Sequence, residues 1–186
     1  ILGAQQSGNI HSVGFELYSQ LLSQAVEQSK TVGESTDSVT LENRSDVTLD
    51  LGIPALIPAD YIEDLPTRLG IYQRLSRSNN LEELDQMQEE LRDRFGEVPK
   101  ETTNLFYCVR IRVLAKRAGV ELVTREIRQR SEIKMRLQYD VGGAKIVLSK
   151  MFTDAGLRVR VGNQLLYLRT SEQPWEHELL KVLESL

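Results

Sequence analysis

The chain reads as an α+β protein, a set of helices followed by a small, mainly antiparallel sheet in ββαββα order. Three observations predict this. Between residues 64 and 119 apolar side chains recur every three or four positions, the period of a helix with one buried face. Beyond Gly119 the pattern changes to strict alternation, as in Ile133, Met135, Leu137 and Tyr139 separated by Lys134, Arg136 and Gln138. Glycine pairs and Gly-Asn steps then break the alternating part at hairpin spacing.

Taken in order, Ser12 can cap a helix to about Gln28, with Leu17, Tyr18, Leu21, Leu22 and Ala25 on one face. Residues 29–46 are small, polar and aperiodic, the best linker in the chain. Val47, Leu49 and Leu51 alternate with Thr48 and Asp50 as a short strand. Pro54 and Pro58 should hold residues 53–62 extended, because proline fixes its own φ and restrains its predecessor. Asp64 then caps a helix with Pro66 in its first turn and Leu65, Leu69, Tyr72 and Leu75 along one side. A second helix starts at Asn80, with Glu83 placed to close a capping box, and ends at Gly96. Its stripe is Leu81, Leu84, Met87 or Gln88, Leu91 and Phe95. Pro99 opens a third, running to Gly119 and apolar on several sides, which predicts a buried centre. Val120–Ile127 is a candidate partner for the strand around Ile133. Gly142-Gly143 leads into a helix near residues 144–153. Leu157, Val159 and Val161 alternate with Arg158 and Arg160, Gly162-Asn163 signals a two-residue hairpin, and residues 164–169 return. Pro174 begins a closing helix. The organisation expected is an appended segment at 1–30, a linker at 31–46 and a domain at 47–186.

Of 186 residues, 40% are hydrophobic and 27% charged, a balance that supports a buried core. The chemistry of catalysis is sparse. His11 and His177 lie far apart and Cys108 is the single cysteine, so a zinc site is not expected. Cys108 sits mid-helix among Leu105, Val109 and Ile111 and reads as a small buried hydrophobe. Gly142-Gly143-Ala144-Lys145 lacks the first glycine and the Ser/Thr of a phosphate loop. Paired carboxylates such as Glu82/Glu83 and Glu89/Glu90 fall on an exposed helix face rather than in a cleft. The expectation is a non-catalytic chain with no cofactor or metal of its own. No apolar run approaches the ~20 residues of a membrane helix, and one thiol suits a reducing, cytoplasmic setting. The opening, Ile1 to Gly8, has no initiator Met and reads as the middle of a loop in a longer protein. The net charge of −4 divides into −10 over residues 1–109, +9 over 110–169 and −3 over 170–186. Two faces offered to different neighbours, or two halves pairing within one fold, would each give that split.

Several stretches stand out together: Leu2-Gly3-Ala4-Gln5-Gln6-Ser7-Gly8 and Val13-Gly14-Phe15-Glu16-Leu17-Tyr18; Ala55-Leu56-Ile57-Pro58-Ala59-Asp60-Tyr61-Ile62; Arg68-Leu69 with Tyr72 and Leu75; and Asp93-Arg94-Phe95-Gly96 followed by Pro99. In this order they resemble bacterial transcription-repair coupling factors. They cover residues 1 to about 119, and the last third follows the family only in general pattern. The resemblance implies a piece of an ATP-driven double-stranded DNA translocase that displaces stalled RNA polymerase and recruits UvrA for nucleotide excision repair. It places ATP and Mg in motor domains upstream and makes residues 1–30 the tail of the translocase module, with Gln6, Ser7 and Gly8 a remnant of its translocation motif. Many relatives carry two acidic residues where this chain has Ala4 and Gln5. It makes residues from 47 on a C-terminal regulatory domain that packs on the N-terminal UvrB-like module and hides its UvrA-binding surface.

On the second helix, Glu83, Gln86, Glu90 and Asp93 recur at i+3 and i+4 and line one ridge opposite the apolar stripe. That spacing also describes an ordinary solubilising face; the resemblance makes Glu83, Glu90 and Asp93 candidates for the regulatory interface. The alternative is a basic nucleic-acid-binding module, with Lys134, Arg136, Arg158 and Arg160 on the outer sheet face and no stacking aromatic among them.

Overall fold

A computed structural model describes residues 47–127, 131–170 and 175–186. The helix expected near residues 12–28, the linker, and Gln6, Ser7 and Gly8 lie outside the described residues, as does Pro174. The described chain divides into two compact units, one of Gly52–Ser78 and Glu82–Phe106, the other of residues 47–51, 79–81 and 107 onward.

The first unit is built around an irregular extended segment and helices α1 (Leu65–Arg77), α2 (Leu81–Phe95) and the opening turns of α3 (Lys100–Arg117). Asp64 caps α1 as its sequence suggests, its carboxylate accepting from the Thr67 N–H at 2.8 Å and from the Thr67 hydroxyl. The buried face of α1 is Ile71, Tyr72 and Leu75; Leu69, expected there, is half-buried. On α2 the stripe resolves to Leu84, Met87 and Leu91, so Met87, not Gln88, faces inward. Gly96 closes α2 at φ +87°, donating its N–H to Arg92 O; a side chain there would be strained.

The segment before α1 makes no sheet ladder, so its backbone groups need other partners. Ile57 N–H donates to the Tyr72 hydroxyl at 2.7 Å, Thr102 donates to Leu56 O, and Asn104 Nδ2 donates to Pro54 O at 2.8 Å. Arg68 reaches back to the carbonyls of Ile62 and Glu63. The run is not extended throughout residues 53–62: Pro58 O accepts from both Tyr61 N–H and Ile62 N–H, which turns the chain. That turn aims the Tyr61 hydroxyl at the carbonyls of Leu91 and Gly96 (3.2 and 3.3 Å) and sets its ring edge-on to Phe95.

The second unit holds a five-stranded sheet in the order β1 (Thr48–Asp50), β2 (Val120–Ile127), β3 (Ser131–Leu137), β5 (Leu165–Arg169), β4 (Val159–Val161). The pairings are antiparallel except β1 with β2, which is parallel. Between β3 and β4 run a 3-10 turn (Gly142–Ala144) and helix α4 (Lys145–Asp154); α5 (Trp175–Ser185) follows β5. Alternation puts Val123, Ile133, Met135, Leu166 and Leu168 on the covered face. Helix α5 contributes Trp175, Leu179, Val182 and Leu183 to the core, and the later turns of α3 contribute Ile111, Val113 and Leu114. Tyr107 of α3 sits edge-on to Trp175 and donates to Glu176 O at 3.1 Å, while Arg125 lies over the other component of that cluster, the indole. Gly119, at φ +66°, ends α3 beneath the Tyr139 ring, and an added Cβ would come within 2.5 Å of that ring. The β4–β5 turn is centred on Asn163-Gln164 rather than Gly162-Asn163: Gly162 N–H bonds Leu165 O, and neither central residue adopts positive φ.

Replacing Tyr72 with Phe removes the acceptor of the buried Ile57 N–H. The variant should lose about 1–3 kcal/mol of stability in chemical denaturation, with its helical content intact. Cys108 is half-buried, and burial pushes its thiol up to about 12. It should therefore resist iodoacetamide at neutral pH and react only once denaturant opens the unit.

Candidate interaction surface

Of the ridge predicted on α2, Glu83, Gln86 and Asp93 are exposed and Glu90 is half-buried. Glu82, Glu83, Gln86, Glu89 and Asp93 are exposed opposite Leu84, Met87 and Leu91. The three singled-out carboxylates, however, differ in what they touch. Glu83 accepts from the Ser78 hydroxyl at 3.0 Å, tying the start of α2 to the end of α1. Glu90 is clamped: Oε2 takes Arg74 of α1 at 3.0 Å and Oε1 takes Arg94 at 3.1 Å. Those two guanidinium hydrogen bonds, Arg74's first, hold its carboxyl below the usual range. Asp93 alone of the three has no partner among the described residues and points into solvent.

Beside the ridge lies an open groove of about 830 Å³ lined by Asp85, Gln88, Glu89, Arg92, Gly96, Glu97 and Val98. Arg92 leans toward Glu89 at 3.8 Å, leaving the groove acidic. Arg94 stacks over Phe95 at 5.1 Å while reaching Glu90, so the end of α2 is rigid where the groove closes. A surface of this kind can receive a basic, partly apolar segment. The partner of Glu90 on its own helix was legible at i+4; Arg74 was not, since nothing local pairs α1 with α2.

The outer sheet face carries Lys134, Arg136 and Arg160, with Arg158 exposed just before β4. The sheet register sets Thr124, Lys134, Tyr167 and Arg160 side by side across four strands. Tyr167 is therefore an aromatic among the cations, contrary to the sequence expectation, and Arg160 stacks on it at 4.2 Å. Arg136 pairs with Glu121, and Arg169 approaches Glu132 at 3.8 Å. The face is thus a mixed-charge lattice, with Lys134 and Arg158 unpaired among the described residues. Alternation of Leu165, Tyr167 and Arg169 signals the tyrosine once β5 is paired with β3.

Among the described residues no group of three or more His, Cys, Asp or Glu side chains converges as a metal site would require. No helix among them is long and apolar enough to cross a membrane.

Comparison with known proteins meets this geometry at the same residues. The family model of the TRCF domain matches residues 51–143, which includes the strapped segment, α1, α2 and α3. The transcription-repair-coupling factor of Bacillus subtilis is 40% identical over 126 residues, 68% of this chain and 10% of that protein. That of Haemophilus influenzae is 38% identical over 120 residues, 64% of this chain and 10% of that protein. The chain therefore spans about a tenth of the length of these relatives. In structure it is similar to a crystal structure of the C-terminal domain of transcription-repair coupling factor, with a TM-score of 0.61 at 23% identity, over 73% of this chain and 89% of that one. The chain belongs to the transcription-repair coupling factor family.

Proposed function

We propose that this chain is a regulatory, autoinhibitory interaction domain, which docks on the N-terminal UvrB-like module of its own protein and covers the UvrA-binding surface. The observation that carries this reading is the acidic groove beside α2, lined by Asp85, Glu89 and Glu97, with exposed Asp93 on the same helix and Glu90 held there by two arginines. The residue roles divide accordingly. Asp93, Glu89 and Asp85 meet basic side chains of the partner module. Glu90 and Glu83 position α2, and act on the interface through that helix. In the whole protein, the domain restrains an ATP-driven double-stranded DNA translocase of the cytoplasm that displaces RNA polymerase and recruits UvrA. ATP and Mg bind its motor domains, whose tail is residues 1–30 with Gln6, Ser7 and Gly8; residues 31–46 link that tail to the domain at 47–186. The domain itself is non-catalytic.

The alternative, nucleic-acid binding by the outer sheet face, gains Tyr167 as a stacking ring but loses Arg136 to Glu121. Phosphate contacts from the remaining cations would weaken steeply as salt rises.

Exposed ion pairs contribute about 0.2–1 kcal/mol each, whereas truncating one partner of a desolvated interfacial pair costs about 2–5 kcal/mol. A lock built in the groove belongs to the second class, and ~1.4 kcal/mol already changes an equilibrium tenfold. In a full-length coupling factor carrying this domain, Asp93→Lys with Glu89→Lys should raise UvrA capture at least several-fold. Unchanged capture by the folded double variant would remove the groove from the mechanism. Glu90→Gln should behave differently, lowering stability by about 1 kcal/mol or less with a small effect on UvrA. Because the folded-state pKa of Glu90 is depressed, its contribution is present above the unfolded carboxylate value of ~4.3 and is lost as pH falls through the folded value. The stability gap between Glu90→Gln and the parent should therefore close in acid, as followed by denaturant titration at stepped pH.

A further inference from the structure

Helix α4 carries two side chains the fold does not use. It buries Phe152 completely on one side, while Ile146 and Val147 stand 85% and 69% exposed on the other, next to exposed Gly143 and Ala144. Single exposed apolar residues are ordinary, but two adjacent ones at this exposure forgo about 1.5–3 kcal/mol of burial each. They do not sit on a fraying end. The 3-10 turn before α4 is fixed by Gly142 N–H to Asp140 Oδ1, Val141 N–H to Asn163 O at 2.6 Å and Ala144 N–H to Val141 O at 2.8 Å. Both side chains are also β-branched, so little rotamer freedom is lost when a partner covers them.

The surroundings are cationic. Lys145 and Lys150 flank the pair on the same helix, Lys150 exposed, and the first turn of α4 has no acidic residue and no side-chain cap. Asp140, the nearest carboxylate in sequence, is engaged with Gly142, and Asp154 lies at the far end of the helix. A small apolar centre within a positive rim suits apolar side chains flanked by carboxylates. A lipid surface fits less well, because two apolar side chains are a small anchor. We propose that the exposed face of α4, centred on Ile146 and Val147, is a docking site for an acidic amphipathic segment of a protein partner.

The test uses the whole chain and a synthetic peptide with the sequence of residues 79–98, which carries Leu84, Met87 and Leu91 on one face and carboxylates elsewhere. Nuclear magnetic resonance titration should perturb Ile146, Val147 and Lys150, with saturable binding. Ile146→Ser with Val147→Ser should weaken it at least tenfold without altering the circular dichroism spectrum. Lys145→Gln with Lys150→Gln should weaken it and flatten its salt dependence, and a peptide with amides in place of its carboxylates should bind several-fold less well. The proposal is overturned if millimolar peptide does not bind, or if it binds the Ile146→Ser, Val147→Ser variant as tightly as the parent. It is overturned too if the pair instead drives capture on phosphatidylserine vesicles, or a concentration-dependent rise in the chain's own mass that the double serine variant abolishes.

Discussion

The first unit depends on how residues 52–62 satisfy a backbone that joins no sheet. A buried N–H or carbonyl without a partner costs more than most single contacts return. Here Tyr72, Thr102 and Asn104 supply the partners from two helices, and Arg68 donates to the Ile62 carbonyl at the turn, while the Tyr61 hydroxyl donates outward to the end of α2. Each of these bonds fixes a helix as well as the strap. Tyr72 sets the rotation of α1, Thr102 and Asn104 set the start of α3, and Tyr61 holds the end of α2 through the carbonyls of Leu91 and Gly96. Ala55, Ile57 and Ile62 then fill the space beneath, all buried. Tyr61, Arg68 and Tyr72, polar residues within the stretches that resemble the family, each make one of these bonds.

What could be read from sequence follows the range of the signal. Helix stripes are local, and Leu84, Met87 and Leu91 were legible because an α-helix returns to the same face every 3.6 residues. The Asp64 cap and the Gly96 and Gly119 stops were legible for the same reason. Alternation identified Val47, Leu49 and Leu51 as a strand, but its parallel pairing with β2 lies far along the chain and leaves no local trace. Proline suggested an extended run; the turn at Pro58 depends on Tyr61 finding acceptors on α2, a tertiary demand. Of the candidate interface, the ridge was visible in the spacing of Glu83, Glu90 and Asp93. Their separate roles were not, because Arg74 and Ser78 reach α2 from α1.

The charge asymmetry resolves in the same way. The basic half is not a uniform positive field, since Arg136 meets Glu121, Arg169 approaches Glu132, and Arg125 and Arg160 lie over Trp175 and Tyr167. Guanidinium groups engaged in this way stiffen the sheet and offer less to phosphate than their number suggests. Within the acidic half, α2 separates carboxylates that serve the unit from those left at its surface. Net charge by segment thus overstates both faces, and the local pairings decide which charges remain for a partner.

A reversible lock and a permanent one make different demands on such a surface. A permanent contact is best made apolar, since desolvating charges recovers little beyond its cost. A contact that must open needs surfaces tolerable in water when parted, and the α2 groove meets that condition: charged Asp85, Glu89, Arg92 and Glu97 line it, while the apolar stripe of α2 stays inside the unit. Rigidity matters as much. Glu90 gripped by two arginines, Phe95 held between Arg94 and Tyr61, and Gly96 bonded on both sides leave the groove little conformational freedom to lose on binding. In the docking proposed above, specificity would come from where Asp85, Glu89, Glu97 and Asp93 are placed rather than from the amount of surface covered. A partner whose cations are displaced by a helical turn would meet the clamped Glu90 and its guanidinium pair instead of the exposed carboxylates of the groove. The clamp that stabilises α2 is in this way also what would reject a misregistered partner.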